Sequence, residues 1–225
     1  MYDGLINLFK YSGLSSAAAV ARVKRVLPRK TKVGHAGSLD PFATGVLIIL
    51  IGKGTKSCER LMSSPKQYIA KIKLGAVTPS DDCDTEETPV PYTYVPSHEE
   101  VTHALHAQVG TILQRPPRFS ALKVGGMRAC DRVRMGETVD LPPRAVEIRA
   151  IELLDYAWPF ATIKVDCGRG TYIRAIARDL GESLKVGGHL VELRRTRVGE
   201  YTEQTALRLE ELDSQNIAAR IIPLQ

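Results

Sequence analysis

Apolar residues change period several times along this chain, and each change marks an element. Leu5 to Phe9 is a short apolar run that reads as a strand, closed by a Ser-Gly turn. From Ser16 to about Leu27 the spacing turns helical, with Val20, Val23 and Leu27 on one side and Pro28 as the stop. Val46 to Ile51 is uninterrupted and isoleucine-rich between Gly45 and Gly52, as expected of a strand buried on both faces. Tyr68, Ala70, Ile72 and Leu74 share one face with lysines partly on the other, which is strand periodicity.

Residues 78–96 are acidic, proline-rich and aperiodic, so a surface connection is expected there. Ser97 and Glu100 form a capping-box pattern ahead of Val101, Leu105 and Val109, which predicts a helix. The prolines of Arg115-Pro116-Pro117-Arg118 impose extended backbone, and Gly125-Gly126 predicts a hairpin or loop leading to a short helix. Val146 to Leu154 and Ala161 to Cys167 read as strands. Thr171 is placed to cap a helix reaching about Leu184, whose buried stripe is Ile173, Ile176, Ala177 and Leu180. A further apolar segment from Leu190 ends in Arg194-Arg195. Strands and helices are mixed without a strict βαβ rhythm, which favours an α+β fold on a mixed sheet.

The 225 residues suit one large domain, and 44% hydrophobic with 25% charged content disfavours disorder. No apolar run approaches bilayer length and no signal-like start is present, so a cytoplasmic location is expected. Cys58, Cys83, Cys130 and Cys167 are scattered, forming neither a zinc knuckle nor a disulfide framework, and read as reduced packing residues. The net charge of +6 is unevenly spread. Arg22, Lys24, Arg25, Arg29, Lys30 and Lys32 form one basic block, residues 115–134 a second and residues 169–197 a third, while Asp81 to Glu87 is acidic. Such blocks are solvated faces or, where they converge, a phosphate-binding surface.

The richest local chemistry lies in Gly34-His35-Ala36-Gly37-Ser38-Leu39-Asp40-Pro41, where a carboxylate stands in a glycine-rich turn between the first basic block and the apolar strand. Pro41 biases Asp40 toward extended geometry, which suits a presented nucleophile. An Asp before Pro more often satisfies turn N–H groups, and the residues alone leave both readings open. Gly52-Lys53-Gly54-Thr55 fails the spacing of a phosphate loop, and neither a dinucleotide fingerprint nor a metalloprotease motif occurs.

Gly34 to Pro41 with Ala43-Thr44-Gly45-Val46-Leu47 resembles the TruB family of tRNA pseudouridine synthases. The resemblance extends to Lys66-Gln67-Tyr68, to Pro117 through Lys123, to Gly170-Thr171-Tyr172-Ile173-Arg174 with Asp179-Leu180-Gly181, and to Leu193-Arg194-Arg195. It implies a pseudouridine-synthase-like, largely antiparallel central sheet flanked by helices and loops. It also implies one catalytic domain over 1–225 without a C-terminal PUA-like RNA-binding domain. The implied activity is isomerisation of uridine to pseudouridine at position 55 of the tRNA T-loop, on a base flipped out of its stack.

By the same resemblance Asp40 is the nucleophile, Tyr68 the aromatic that stacks on uracil and Arg174 the partner of Asp40. His35 fills the space left by the flipped base, Leu193 forms pocket wall, and Lys10, Arg22, Lys24, Lys123, Arg128 and Arg195 are phosphate contacts as a group. No cofactor and no metal are implied. The partner is tRNA through its T-arm, and a monomer without membrane association is expected. The chain departs from the family pattern at Tyr11, Phe119 and Cys130. Two further readings are a non-catalytic RNA-binding or tRNA-folding module and a guide-RNA-dependent synthase of the dyskerin type.

Overall fold

A computed structural model describes residues 2–224. In chain order the elements are β1 (Gly4–Lys10), α1 (Ser16–Arg25), β2 (Val33–His35), β3 (Thr44–Ile51), α2 (Cys58–Ser63), β4 (Lys66–Leu74), β5 (Ala76–Val77), β6 (Thr88–Pro89), α3 (His98–His106) and β7 (Gly110–Gln114). There follow β8 (Lys123–Val124), β9 (Met127–Arg128), α4 (Ala129–Arg134), β10 (Arg144–Ala157), β11 (Phe160–Cys167), α5 (Ile173–Ser183), β12 (Gly188–Val198), β13 (Tyr201–Thr202) and α6 (Ile217–Arg220). By its internal contacts the chain forms two compact units. One runs through Tyr68 and resumes at Leu193, and the other is Ile69–Glu192.

The first unit is organised around β3. β1 pairs antiparallel along one whole edge, from Gly4 opposite Ile51 to Lys10 opposite Gly45. The other edge is shared: β12 runs parallel at Thr44 and Gly45, and β2 runs antiparallel from Ile49 to Ile51. Ile6, Leu8, Leu47, Ile49 and Ile51 pack with Ala19 and Val23 of α1 and with Ile217, while Leu5, Val46, Ile48 and Leu50 pack on the opposite face with Leu61 of α2 and Val198. Both faces of β3 are therefore covered, which is why its sequence is continuous rather than alternating. Each such aliphatic side chain contributes roughly 1.5–3 kcal/mol by leaving water.

In the second unit the spatial order is β4, β11, β10, β7, with β10 antiparallel to both its neighbours. The expected α+β class on a mixed, largely antiparallel sheet is thus what the chain forms. The capping box on α3 is complete: the Ser97 N–H donates to Glu100 Oε2 at 2.7 Å, and the Glu100 N–H donates to Ser97 Oγ at 3.2 Å. Val109 was expected on that helix and lies beyond it, in the exposed turn into β7. The Gly125-Gly126 segment is a hairpin of β8 and β9 leading into α4, as expected.

Two other expectations are corrected. Thr171 does not cap α5: the N-cap is Tyr172, whose N–H donates to Gln114 Oε1 at 2.9 Å and whose carbonyl accepts from Gln114 Nε2 at 3.1 Å. A glutamine at the end of β7 thereby fixes the helix start without a capping side chain. The acidic connection is also not wholly superficial, because Ser80 and Asp82 are buried. Asp82 folds inward because its groups are satisfied locally. Its carbonyl accepts from Thr78 Oγ1 at 2.7 Å, and Oδ1 accepts from Ser80 Oγ at 2.6 Å and from the Asp84 N–H at 3.0 Å.

Candidate active site

The loop carrying Asp40 joins β2 to β3 in the first unit, and its main-chain carbonyls are held by hydrogen bonds. Five consecutive carbonyls accept hydrogen bonds. Gly37 accepts from Arg195 Nη2 at 3.1 Å and Ser38 from Arg195 Nη1 at 3.2 Å. Leu39 accepts from Ser16 Oγ at 3.1 Å, Asp40 from the Ala43 N–H at 3.1 Å, and Pro41 from Lys10 Nζ at 3.0 Å and the Gly13 N–H at 2.9 Å. The Leu39 N–H in turn donates to Ser16 Oγ at 2.8 Å. Half-buried Asp40 thus stands on a backbone whose carbonyls are held from residue 37 through residue 41. Gly37 has φ of +99°, a conformation that costs little only without a side chain.

Lys10 and Arg195 depart from expectation. Both are fully buried at 0% and 1% exposure, with their donors committed to main-chain carbonyls, so neither reaches a phosphate at the surface. Lys10 Nζ donates to Tyr11 at 3.0 Å and Leu14 at 2.7 Å besides Pro41, spending all three protons inside. Burial lowers its pKa to about 8; the Asp40 charge opposes this fall and the Arg195 charge adds to it. His35 ends β2 half-buried, its pKa lowered by burial and by Arg195, so its ring is neutral near pH 7. Among the described residues its Nδ1 has no hydrogen-bond partner. Tyr68 on β4 and Leu193 on β12 are buried. Cys58 Sγ lies 3.7 Å from the His35 carbonyl.

In the second unit Arg174 occupies the first turn of α5, where two segments converge on its guanidinium. Nη1 donates to the Ser80 carbonyl at 3.1 Å and lies 3.1 Å from Asp82 Oδ2, and Nη2 donates to the Phe119 carbonyl at 3.1 Å. Asp82 was missed by the sequence reading; the signal available was a block of carboxylates inside an otherwise basic chain. Next to it, Arg178 lies 3.0 Å from Asp81 Oδ2 and 2.8 Å from Asp179 Oδ1. Burial nevertheless raises the Asp81 pKa to about 6, against the pull of Arg178 and Arg174.

The three basic blocks differ sharply. Arg128 and Arg134 pair with Asp131 and Arg132 pairs with Glu137, so much of the second block is internally neutralised. Arg174, Arg178 and Arg194 of the third are also paired. Arg22, Lys24, Arg25, Arg29, Lys30 and Lys32 are all exposed, and none has an ion pair among the described residues. Lys123 on β8 is exposed as well. Of the cysteines Cys167 is buried and Cys83 is exposed, so Cys83 is not the packing residue expected. Among the described residues no cluster of three His, Cys, Asp or Glu is placed to hold a metal, and no helix is long and apolar enough to cross a membrane.

Comparison with known proteins finds relatives along almost the whole chain. Residues 24–173 match the TruB family pseudouridylate synthase N-terminal domain, and residues 174–220 match the tRNA pseudouridylate synthase B C-terminal domain. The chain is 43% identical over 219 residues to tRNA pseudouridine synthase B of Corynebacterium diphtheriae, covering 94% of this chain and 72% of that one. It is 48% identical over 187 residues to the protein of that name from Bacteroides fragilis, covering 82% and 79%. Among solved structures it is similar to a chain of a Cbf5-Nop10-Gar1 complex, with a TM-score of 0.71 and 31% identity, covering 93% of this chain and 53% of that one. A chain of an H/ACA RNP bound to a substrate RNA containing 2'-deoxyuridine gives 0.68 and 28%, covering 93% and 52%. The chain thus spans about half the length of these two solved chains. From the Asp40 loop through Arg174 to the end of the second matched domain, this chain belongs to the TruB pseudouridylate synthase family.

Proposed function

We propose that this protein is a tRNA pseudouridine synthase that isomerises uridine in the T-loop, at position 55, with Asp40 as its nucleophile. The observation that carries the reading is the backbone of residues 37–41, where five successive carbonyls are held and one half-buried carboxylate is presented. Nucleophilic catalysis requires that kind of fixed presentation. The reaction breaks the N1–C1′ bond, turns the uracil and joins C5 to C1′, with no net redox change and no group added. Tyr68 is proposed as the aromatic that stacks on the base, and Arg174 as the cation that favours the ionised carboxylate. A neutral His35 suits occupation of the space a flipped base leaves, since inserting a charge there would cost more.

Substrate binding is proposed to draw on the unpaired first basic block, because unneutralised side chains are the ones that release counterions from a phosphate backbone. The test is incubation with an unmodified tRNA transcript followed by carbodiimide-dependent primer extension. Wild type forms pseudouridine and Asp40→Ala forms none. Equal product from the two proteins would remove the reading, and tight tRNA binding without product at saturating protein would favour a non-catalytic RNA-binding module instead.

A further inference from the structure

One edge of β3 is shared by two strands that do not meet. β12 pairs at Thr44 and Gly45, and β2 begins at Ile49, with the Ala36 N–H reaching the Ile48 carbonyl at 3.0 Å. Between them the Val46 carbonyl faces a gap in the ladder, in a part of the core where Val46 has no exposure. An unpaired carbonyl there would cost the desolvation of a buried polar group. Arg195 Nε fills the gap at 2.8 Å, and the same guanidinium continues to the Ser38 and Gly37 carbonyls. It can do so because the two backbones are nearly in contact: a Cβ at Gly45 would stand 2.2 Å from the Arg195 carbonyl oxygen.

We propose that Arg195 is a positioning residue of the reaction, a fork that ties the start of the Asp40 loop to the strand that follows it. This rests on the reading of Asp40 as nucleophile. The planar guanidinium offers donors in fixed directions, whereas a lysine ammonium is a point charge on a flexible stem. Charge alone would survive an Arg-to-Lys change; the three-carbonyl geometry does not.

The experiment compares wild type, Arg195→Lys and Gly37→Ala by single-turnover pseudouridine formation at saturating enzyme and by filter binding of the same tRNA. Arg195→Lys is expected to lower the single-turnover rate on the order of 100-fold while the dissociation constant stays within about threefold of wild type. Gly37→Ala leaves Arg195 intact but forces a side chain onto a positive-φ residue whose Cβ would lie 3.8 Å from Arg195 Nη1, so a rate loss of about tenfold with unchanged binding is expected. This second variant decides the matter should Arg195→Lys fail to fold. A rate within about threefold of an active wild type in the variant that folds overturns the proposal, as does weakened binding with an intact saturated rate, which would make Arg195 an RNA contact. An inactive wild type would instead sink the proposed activity, and this inference with it.

Discussion

Lys10 Nζ lies 3.0 Å from the carbonyl oxygen of Pro41, the residue that follows Asp40, so a buried ammonium ties the end of β1 to the far side of the Asp40 loop. Its pKa is lowered from 10.5 to about 8, chiefly by burial. Between these values the unfolded chain holds the proton that the folded chain has lost, so stability from this group rises with pH across that window and is penalised below it. Relative to Lys10→Met, wild type is expected to gain stability between about pH 8 and about pH 10. Denaturant midpoints of both proteins at the two ends of the window check this, and a constant gap contradicts it.

The Arg174–Asp82 pair makes a different prediction, because both side chains are nearly inaccessible and lie 3.1 Å apart. Removing one charge of a buried pair leaves the other desolvated, at a cost of about 3–5 kcal/mol. Asp82→Asn should therefore unfold at much lower urea than wild type. A loss below about 1 kcal/mol would show that the pair is not the constraint its geometry indicates.

The local signals explain which parts of this molecule were legible beforehand. The continuous run of β3, the alternation of β4 and β11 and the Ser97–Glu100 box each encode their geometry within a few residues, and all form as expected. What escaped depends on partners distant in the chain. Asp82 reads as one more surface carboxylate until α5 delivers Arg174, ninety-two positions later by the numbering. Lys10 and Arg195 read as phosphate contacts because a sequence displays charge and not the carbonyls waiting to absorb it. Thr171 fails as a cap because Gln114 reaches Tyr172 first.

Asp81 gives a pH dependence of the same origin and opposite sign. Burial lifts its pKa from 3.8 to about 6 despite Arg178 at 3.0 Å, a guanidinium also engaged by Asp179. The folded chain then binds more protons than the unfolded one between these values, so stability falls as pH rises through them. Asp81→Asn keeps the shape and removes the titration. Wild type is expected to lose stability relative to Asp81→Asn between about pH 4 and about pH 7, read as the shift in the difference of their denaturant midpoints. A difference that is flat or opposite in slope would count against the burial argument.

The contrast between unpaired and paired basic side chains can be read in salt. Arg25 and Lys32 are exposed and have no ion pair among the described residues, whereas Arg128 holds Asp131 at 2.7 Å. A side chain that neutralises a phosphate contributes about −0.9 to the slope of log affinity against log salt on a duplex and about −0.7 on a single strand. Arg25→Ala with Lys32→Ala should flatten the slope by about 1.4–1.8 and weaken tRNA binding most at low salt. Arg128→Ala should change the slope little, because its charge is already balanced within the hairpin segment. Filter binding across a salt series distinguishes the two. Equal slopes for the double variant and wild type would assign the RNA-facing charge to some other part of the surface.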